Sequence, residues 1–276
     1  MSMFSPKHWF GAALLVPATV LTLSTDALAV TLRVTVENLA PDSGTILTPT
    51  WVGFHDGTFD LYNRNESLDL FPGMEALVED GNNAPLSAEF ASQMPDGVDG
   101  TLFGPGMTPI FPGITVTETF EVDTSNQYFS YASMVIPSND AFIANGDPLA
   151  FQIFDDLGNF IATEFIVTGD QVLDGGTEVN DEIPENTAAL AQAGPNIGVD
   201  ENGVVTEHPG FIPDGNVLAA IPNGDFTQSG FQVARIRIEQ VDAPDAADVP
   251  EPATVLGLLT VGGGLLTAGR RRQMEA

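Results

Sequence analysis

Short segments of this chain alternate apolar and polar residues, and Gly- and Pro-rich connections separate them. In Val30–Asn38, for example, the apolar residues occupy every second position. A period of two places them on one face of a β-strand. The pattern recurs at Ile114–Val122, Tyr128–Ile136, Leu149–Phe154, Phe160–Thr168 and Gln232–Glu239. Helical patterning is confined to Met74–Glu79, Leu86–Met94 and Thr187–Ala193. The sequence therefore predicts an all-β fold, an antiparallel β-sandwich with long loops and a few short helices.

The charge of the chain excludes several classes of partner. Its 38 Asp and Glu stand against 8 Lys and Arg, a formal net charge of −30. Residues 30–248 hold 35 of the acids and only four arginines. Such a surface repels phosphate backbones and anionic lipid, so we expect no nucleic-acid partner. It favours solubility and the binding of cations or of basic and cation-bridged partners.

The chain has no cysteine. This excludes a disulfide framework, a thiolate zinc site, an iron–sulfur cluster and a cysteine nucleophile. An exported domain of this composition has to be held by its core, or partly by a bound metal ion.

The N-terminus has the pattern of a secretory signal peptide, residues 1–29. Lys7 precedes a short apolar stretch, Phe10–Leu23, and Ala27-Leu28-Ala29 supplies the small residues that signal peptidase prefers. We predict cleavage after Ala29. The alternative is an uncleaved membrane anchor, which the shortness of the apolar stretch disfavours.

The C-terminal region changes character after Gln240. Residues 241–249 form an acidic linker rich in Ala and Pro, and residues 250–276 form a tail. The tail contains Pro250-Glu251-Pro252, an apolar run Ala253–Gly269 and the cluster Arg270–Arg272. An apolar run of this length is near the minimum for crossing a bilayer, and terminal arginines stay on the cytoplasmic side. A plain tail anchor would also fit these features.

The order of these three elements resembles the PEP-CTERM sorting signal. The resemblance implies a Gram-negative, exopolysaccharide-producing cell in which a membrane exosortase recognises the tail. It further implies transient inner-membrane anchoring through the C-terminal transmembrane helix, then processing near the motif and release to the cell surface or extracellular matrix.

Sequence motifs for catalysis are absent from the mature region. Its two histidines, His55 and His208, both lie in turn-like sequences, and a lone histidine there is more often structural than catalytic. The sequence contains no nucleophile elbow, phosphate-binding glycine loop or His-Glu-x-x-His motif. Carboxylate pairs are too frequent in this acidic chain for spacing alone to nominate an acid and a base.

Two segments could supply ligands to a metal ion. Met134–Phe142 delivers Asn139 and Asp140 into a loop after an apolar run, and Asp174–Glu182 combines two glycines with several side-chain oxygens. Calcium takes six to eight oxygen ligands in flexible geometry. Spacing alone leaves open a calcium loop or a solvated acidic loop.

These segments also resemble the spondin domain, the N-terminal module of F-spondin-like matrix proteins. The resemblance covers about residues 30–240 and includes Phe54–Asp60, Leu77–Asn82 and His208–Phe211. It implies a β-sandwich with one calcium ion held at Asp140, Asp174 and Glu178. Glu178 departs from the Asp that is usual in the animal proteins, whose cysteines this chain also lacks.

The predicted function is that of an exported surface or extracellular-matrix protein with a calcium-stabilised, spondin-like domain. We expect a binding or cell-adhesion role associated with exopolysaccharide or biofilm, through polysaccharide or surface proteins, and no enzymatic activity. The alternative is a secreted carboxylate-dependent hydrolase of the glycosidase type, with His55 or His208 beside its acids. Adhesion rests on analogy with the family and not on a motif.

Overall fold

The computed structural model describes residues 29–241 of the chain. Only the last residue of the predicted signal peptide, Ala29, and the first residue of the predicted linker, Val241, lie within this region, and the predicted sorting tail lies outside it. The strands in chain order are β1 (Ala29–Asn38), β2 (Ile46–Leu47), β3 (Thr50–His55), β4 (Val98–Leu102), β5 (Thr115–Asp123), β6 (Tyr128–Ile136), β7 (Ala141–Ala144), β8 (Thr163–Thr168), β9 (Leu173–Asp174), β10 (Thr206–Glu207) and β11 (Gln232–Gln240).

The strands form two antiparallel sheets. The first has four strands in the order β5-β1-β11-β8, and the second has seven, in the order β10-β9-β7-β6-β3-β4 with β2 added against β6. Strands β1 and β11 are paired over most of their length, from Leu32 opposite Gln240 to Asn38 opposite Ala234. The N-terminal and C-terminal strands of the described region therefore lie side by side.

The main core lies between the two sheets. Alternate residues of β1, namely Leu32, Val34 and Val36, are buried in the same cluster as Phe54 of β3 and Phe129 of β6. The period of two seen in the sequence is thus the burial pattern of the structure, which confirms the predicted β-sandwich.

Two helices cover the other face of the seven-stranded sheet. Helix α1 (Pro72–Asp80) ends at Gly81, whose φ of 63° provides a left-handed C-cap, and α2 (Ala84–Gln93) follows directly. Phe90 of α2 packs edge-on against Trp51 of β3, with ring centroids 5.4 Å apart. A short third helix, α3 (Asn216–Ala220), lies in the long region before β11. No helix within residues 29–241 has the length and apolarity to cross a bilayer.

Two local predictions were wrong. Leu149–Phe154 is not a strand, because its ladder contacts are isolated bridges such as that between Tyr128 and Gln152. Its apolar residues instead fill space by packing, as where Phe151 stacks on Phe165 at 3.9 Å. Thr187–Ala193 is not a helix, since Ala189 has a φ of 63° and interrupts any right-handed turn.

Candidate functional site

The corner between β6 and β7 positions Asp140. The Ser138 hydroxyl donates to the Val135 carbonyl at 2.6 Å and accepts from the Ala141 N–H at 3.1 Å, which closes the corner. Ala141 is then paired with Asp174 in the ladder between β7 and β9. Two of the three predicted calcium ligands, Asp140 and Asp174, are therefore brought to one end of the second sheet.

The two carboxylate oxygens of Asp140 have different surroundings. Its Oδ2 accepts from the backbone N–H groups of Thr177 at 2.8 Å and Glu178 at 3.1 Å, and from the Thr177 hydroxyl at 3.2 Å. Its Oδ1 is buried and has no hydrogen-bond partner among the described residues. Burial, and then the charge of Asp174, raise the pKa of Asp140 to about 7. One oxygen thus holds the loop, while the other has no partner among the described residues.

Asp174 organises the turn that follows it. Its Oδ1 accepts from the Gly176 N–H and its Oδ2 from the Asn180 side-chain amide, both at 2.8 Å. Gly176 has a φ of 66°, and a Cβ there would lie 2.5 Å from the backbone nitrogen of Val204. Burial raises the pKa of Asp174. The Asp-Gly-Gly sequence is accordingly what this close turn requires.

Glu178 lies near Glu79, a residue that the sequence analysis did not single out. Its Oε1 accepts from the Gly198 N–H at 2.8 Å. Its pKa is raised to about 7, first by burial and next by the charge of Glu79. Glu79, on α1, is itself buried, and burial raises its pKa to about 7. The only sequence signal for Glu79 was its place in the segment Leu77–Asn82, one of the segments that carry the spondin resemblance.

The predicted ligands fit a calcium ion only in part. Asp140 and Asp174 adjoin each other, and the free Oδ1 of Asp140 is an unused acceptor of the kind that calcium binds. Among residues 29–241, however, no three His, Asp or Glu side chains are grouped closely enough to hold one ion. The Glu178 carboxylate is bound to the Gly198 N–H, and backbone carbonyls and water would have to supply further ligands.

Histidine 55 is a structural residue in this fold. Its Nδ1 accepts from the Gly57 N–H at 3.0 Å, so the neutral ring carries its proton on Nε2. Nε2 lies 2.9 Å from the Ser130 hydroxyl and therefore donates to it. Burial lowers the pKa of His55 to about 4. A histidine that already donates to a serine cannot take that serine's proton, so this pair is not a nucleophile with its general base.

His208 lines a cavity whose walls include none of the acids described above. The cavity has a volume of about 400 Å³, and its walls include Thr168, Asp170, Glu207 and the loop of residues 226–231. His208 is only 4% exposed and packs edge-on against Phe211 and Phe226. Neither the resemblance nor the motifs predicted this cavity.

Comparison with known proteins identifies the sorting tail. Residues 248–273 match the family model of the PEP-CTERM protein-sorting motif. This places the chain among exported proteins that exosortase sorts to the cell surface, which confirms those parts of the prediction. No curated protein matches the chain. No family match supports the spondin resemblance of residues 30–240, which stays a prediction.

Proposed function

We propose that this chain is a surface or matrix binding protein that is anchored transiently in the inner membrane and then released by exosortase. The observation that carries the proposal is the sorting motif at residues 248–273. The acidic β-sandwich supports it, because a domain with 35 acids and four arginines in residues 30–248 stays soluble after release and can meet other surface polymers through cation bridges. The long loops between strands offer the surface for binding.

Cell fractionation with proline variants tests the sorting step. Changing Pro250 and Pro252 to Ala should leave the full-length chain in the inner membrane, whereas wild type is released. Pro244→Ala is the matched control, because it alters a proline outside the matched motif. Released wild-type protein whose mass includes an intact Arg270–Arg272 end would rule out processing at the motif.

We also propose that calcium stabilises the loop at Asp140, Asp174 and Glu178. Three buried acids near one another repel when ionised, and a cation relieves that repulsion. The buried Oδ1 of Asp140, which no described residue satisfies, supports a ligand at this position. An ion that binds only the folded state raises the free energy of unfolding. Calcium would thereby link the integrity of the loops to the extracellular medium.

Thermal unfolding with calcium or chelator tests the ion site. Millimolar calcium should raise the midpoint of the parent by several degrees and leave Asp140→Asn unmoved, because the amide keeps the shape but loses the charge. Asp156→Asn, which alters an exposed acid, should respond as the parent does. An equal response of Asp140→Asn and the parent would contradict the assignment.

A secreted hydrolase is a second candidate, favoured by one observation. Two carboxylates, Asp170 and Glu207, line the cavity beside His208. Glycoside hydrolysis needs two such groups flanking the bond. Release of reducing ends from the producer's polysaccharide, lost in both Asp170→Asn and Glu207→Gln but kept in Asp156→Asn, would establish hydrolysis. Binding of the polysaccharide without such release would establish the binding role.

A further inference from the structure

The loop between β4 and β5 combines an absence of charge with exposed apolar side chains. Residues 100–117 contain no Asp, Glu, Lys or Arg, the longest such stretch within residues 29–241. Three large apolar side chains of this loop are nevertheless exposed, Phe103 by 37%, Met107 by 70% and Phe111 by 46%. Ile110, in the same loop, is fully buried and forms two backbone hydrogen bonds with Leu47. The loop is therefore fixed to the core while these three side chains face solvent.

Met107 lies in the turn of this loop, in a conformation that its side chain disfavours. Its φ is 65°, in the left-handed region that residues other than glycine seldom adopt. The Gly104 N–H donates to the Thr108 carbonyl at 2.7 Å, and the Thr108 hydroxyl donates to the Pro105 carbonyl at 3.0 Å, which closes the turn. Neither burial nor backbone preference favours a methionine at this position, which points to a contact with another molecule.

The charge of the rest of the domain limits which molecule can cover the loop. Residues 30–248 hold 35 acids and four arginines, and none of these lies on the loop, so nothing there selects a basic partner by charge. Between two copies of the chain, most surfaces would bring acid against acid. A twofold dimer uses the same surface on both copies, so that surface has to complement itself. The uncharged loop meets this condition, because apolar side chains pack against their own kind without repulsion.

The loop lies at the end of the first sheet opposite to the chain ends. The Gly113 N–H donates to the carbonyl of Asn38, the last residue of β1. Val241 lies at the other end, where its N–H donates to the Thr31 carbonyl. The chain therefore enters and leaves the described region away from the loop, and two copies can meet at their loops without bringing these ends together.

We infer that the loop of residues 103–111 is a self-association surface, through which two copies of this chain form a weak, reversible dimer. Met107 of each copy packs against the loop of the other, with Phe103 and Phe111 beside it. A contact of this size is small, which makes the dimer transient in dilute solution. Where many copies are held together on a surface, such contacts act jointly. This goes beyond the proposed binding role, and it requires neither calcium nor the sorting motif.

The test is sedimentation equilibrium of the purified exported protein in chelator, at concentrations from about 10 μM to about 1 mM. The average mass should rise reversibly toward that of a dimer. Met107→Asp should weaken association at least about tenfold, because it places like charges across the contact. Leu157→Asp is the matched control and should change nothing, since Leu157 is 86% exposed but directly follows Asp155 and Asp156. A monomer at every concentration, or equal association of Met107→Asp and the parent, would overturn the inference.

A second variant separates a contact role of Met107 from a structural one. Asn tolerates the left-handed region better than Met does. Met107→Asn should therefore keep or raise the urea midpoint of the dilute monomer, while it weakens association at least about fivefold. A lower midpoint with unchanged association would assign Met107 to the fold of the monomer and would contradict the proposed surface.

Two further measurements identify what covers the loop. Association should strengthen as NaCl rises from about 50 to about 300 mM, because salt screens the repulsion between two acidic domains. Association that weakens with salt would mean that ion pairs hold the dimer, and the loop would not be its interface. Binding of the monomer to phosphatidylcholine vesicles, lost in Met107→Asp and without any dimer, would replace the second copy with a lipid surface.

Discussion

Two kinds of buried titratable side chain pull the stability of this protein in opposite directions as pH changes. Burial raises the pKa of Glu79, Asp140 and Glu178 to about 7. Burial lowers the pKa of His55 and His208 to about 4. The acids favour the protonated form in the folded state, and the histidines favour the deprotonated form. The two effects on stability overlap at pH values below 6.5, the ordinary pKa of histidine in an unfolded chain. Above that pH, only the acids change the stability.

We therefore predict that the calcium-free protein becomes more stable as pH falls from 8 to 6.5. The folded state binds protons at these acids more tightly than the unfolded state does, so each group contributes on the order of 1 kcal/mol over this window. Urea unfolding in chelator at four pH values measures it. Added calcium should flatten the trend, because the ion neutralises the same charges. A rise in stability with pH in chelator would contradict the pKa directions.

A second prediction at this scale concerns Gly176. Substitution by Ala should cost about 2–4 kcal/mol, because its positive φ disfavours a side chain and the new Cβ would press on Val204. Gly194→Ala is the matched control, since no atom lies within 4 Å of a Cβ there. Chemical denaturation measures both variants. Equal stability of the two would show that the loop relaxes freely.

At the scale of elements, the helices α1 and α2 are held to the sheet by an aromatic cluster. Phe90 lies 4.8 Å from Phe59 and 5.4 Å from Trp51 between ring centroids, and its side chain is 1% exposed. Truncation of a buried Phe leaves a cavity that its neighbours fill only in part. The position of α1, and with it Glu79, depends on this packing.

Phe90→Ala should lower the free energy of unfolding by about 3–5 kcal/mol. Leu157→Ala, at a side chain that is 86% exposed, should change it by less than about 0.5 kcal/mol. Denaturant titration measures both. Since Glu79 adjoins Glu178, Phe90→Ala should also reduce any stabilisation by calcium. An unchanged response to calcium would show that the ion site does not depend on the packing of the helices.

Alternation predicted β1 and β11 well, because one face of each is buried and the other is partly exposed. Strand β6 was also predicted, although residues on both of its faces are buried. Alternation failed for β2, β9 and β10, which have two residues each, too few for any period to show. It also failed for β7, whose four residues are all apolar. In the candidate site, the sequence led to Asp140 and Asp174 through their loops. It could not reveal Glu79 as a neighbour of Glu178, or the cavity at His208, because tertiary packing alone brings those residues together.

At the scale of the whole molecule, the acidic surface is nearly unopposed. Among the few basic groups, Arg235 pairs with Glu37, and Arg237 with Glu164 at 2.7 Å, all on the outer face of the first sheet. Exposed pairs of this kind contribute little to stability. Repulsion among the remaining acids therefore works against the compact state.

Raising NaCl from about 10 to 300 mM in chelator should increase the unfolding midpoint by several degrees, because the Debye length falls from about 30 Å to below 8 Å. Tetramethylammonium chloride at equal ionic strength is the control for specific sodium binding and should act alike. Differential scanning calorimetry measures the midpoints. A fall with salt would mean that attractive pairs outweigh the repulsion.

The pairing of β1 with β11 has a mechanical consequence. The described chain starts and ends at the same end of the first sheet, where the Val241 N–H donates to the Thr31 carbonyl. The cavity beside His208 lies at the other end of β11, about 26 Å away at the usual rise per residue. A force applied at the cavity and resisted at Val241, the last residue of the described region, acts along β11. Because β1 and β8 both flank that strand, the force shears two ladders at once. Pulling apart the two ends of the described region would instead break the hydrogen bonds between β1 and β11 one after another.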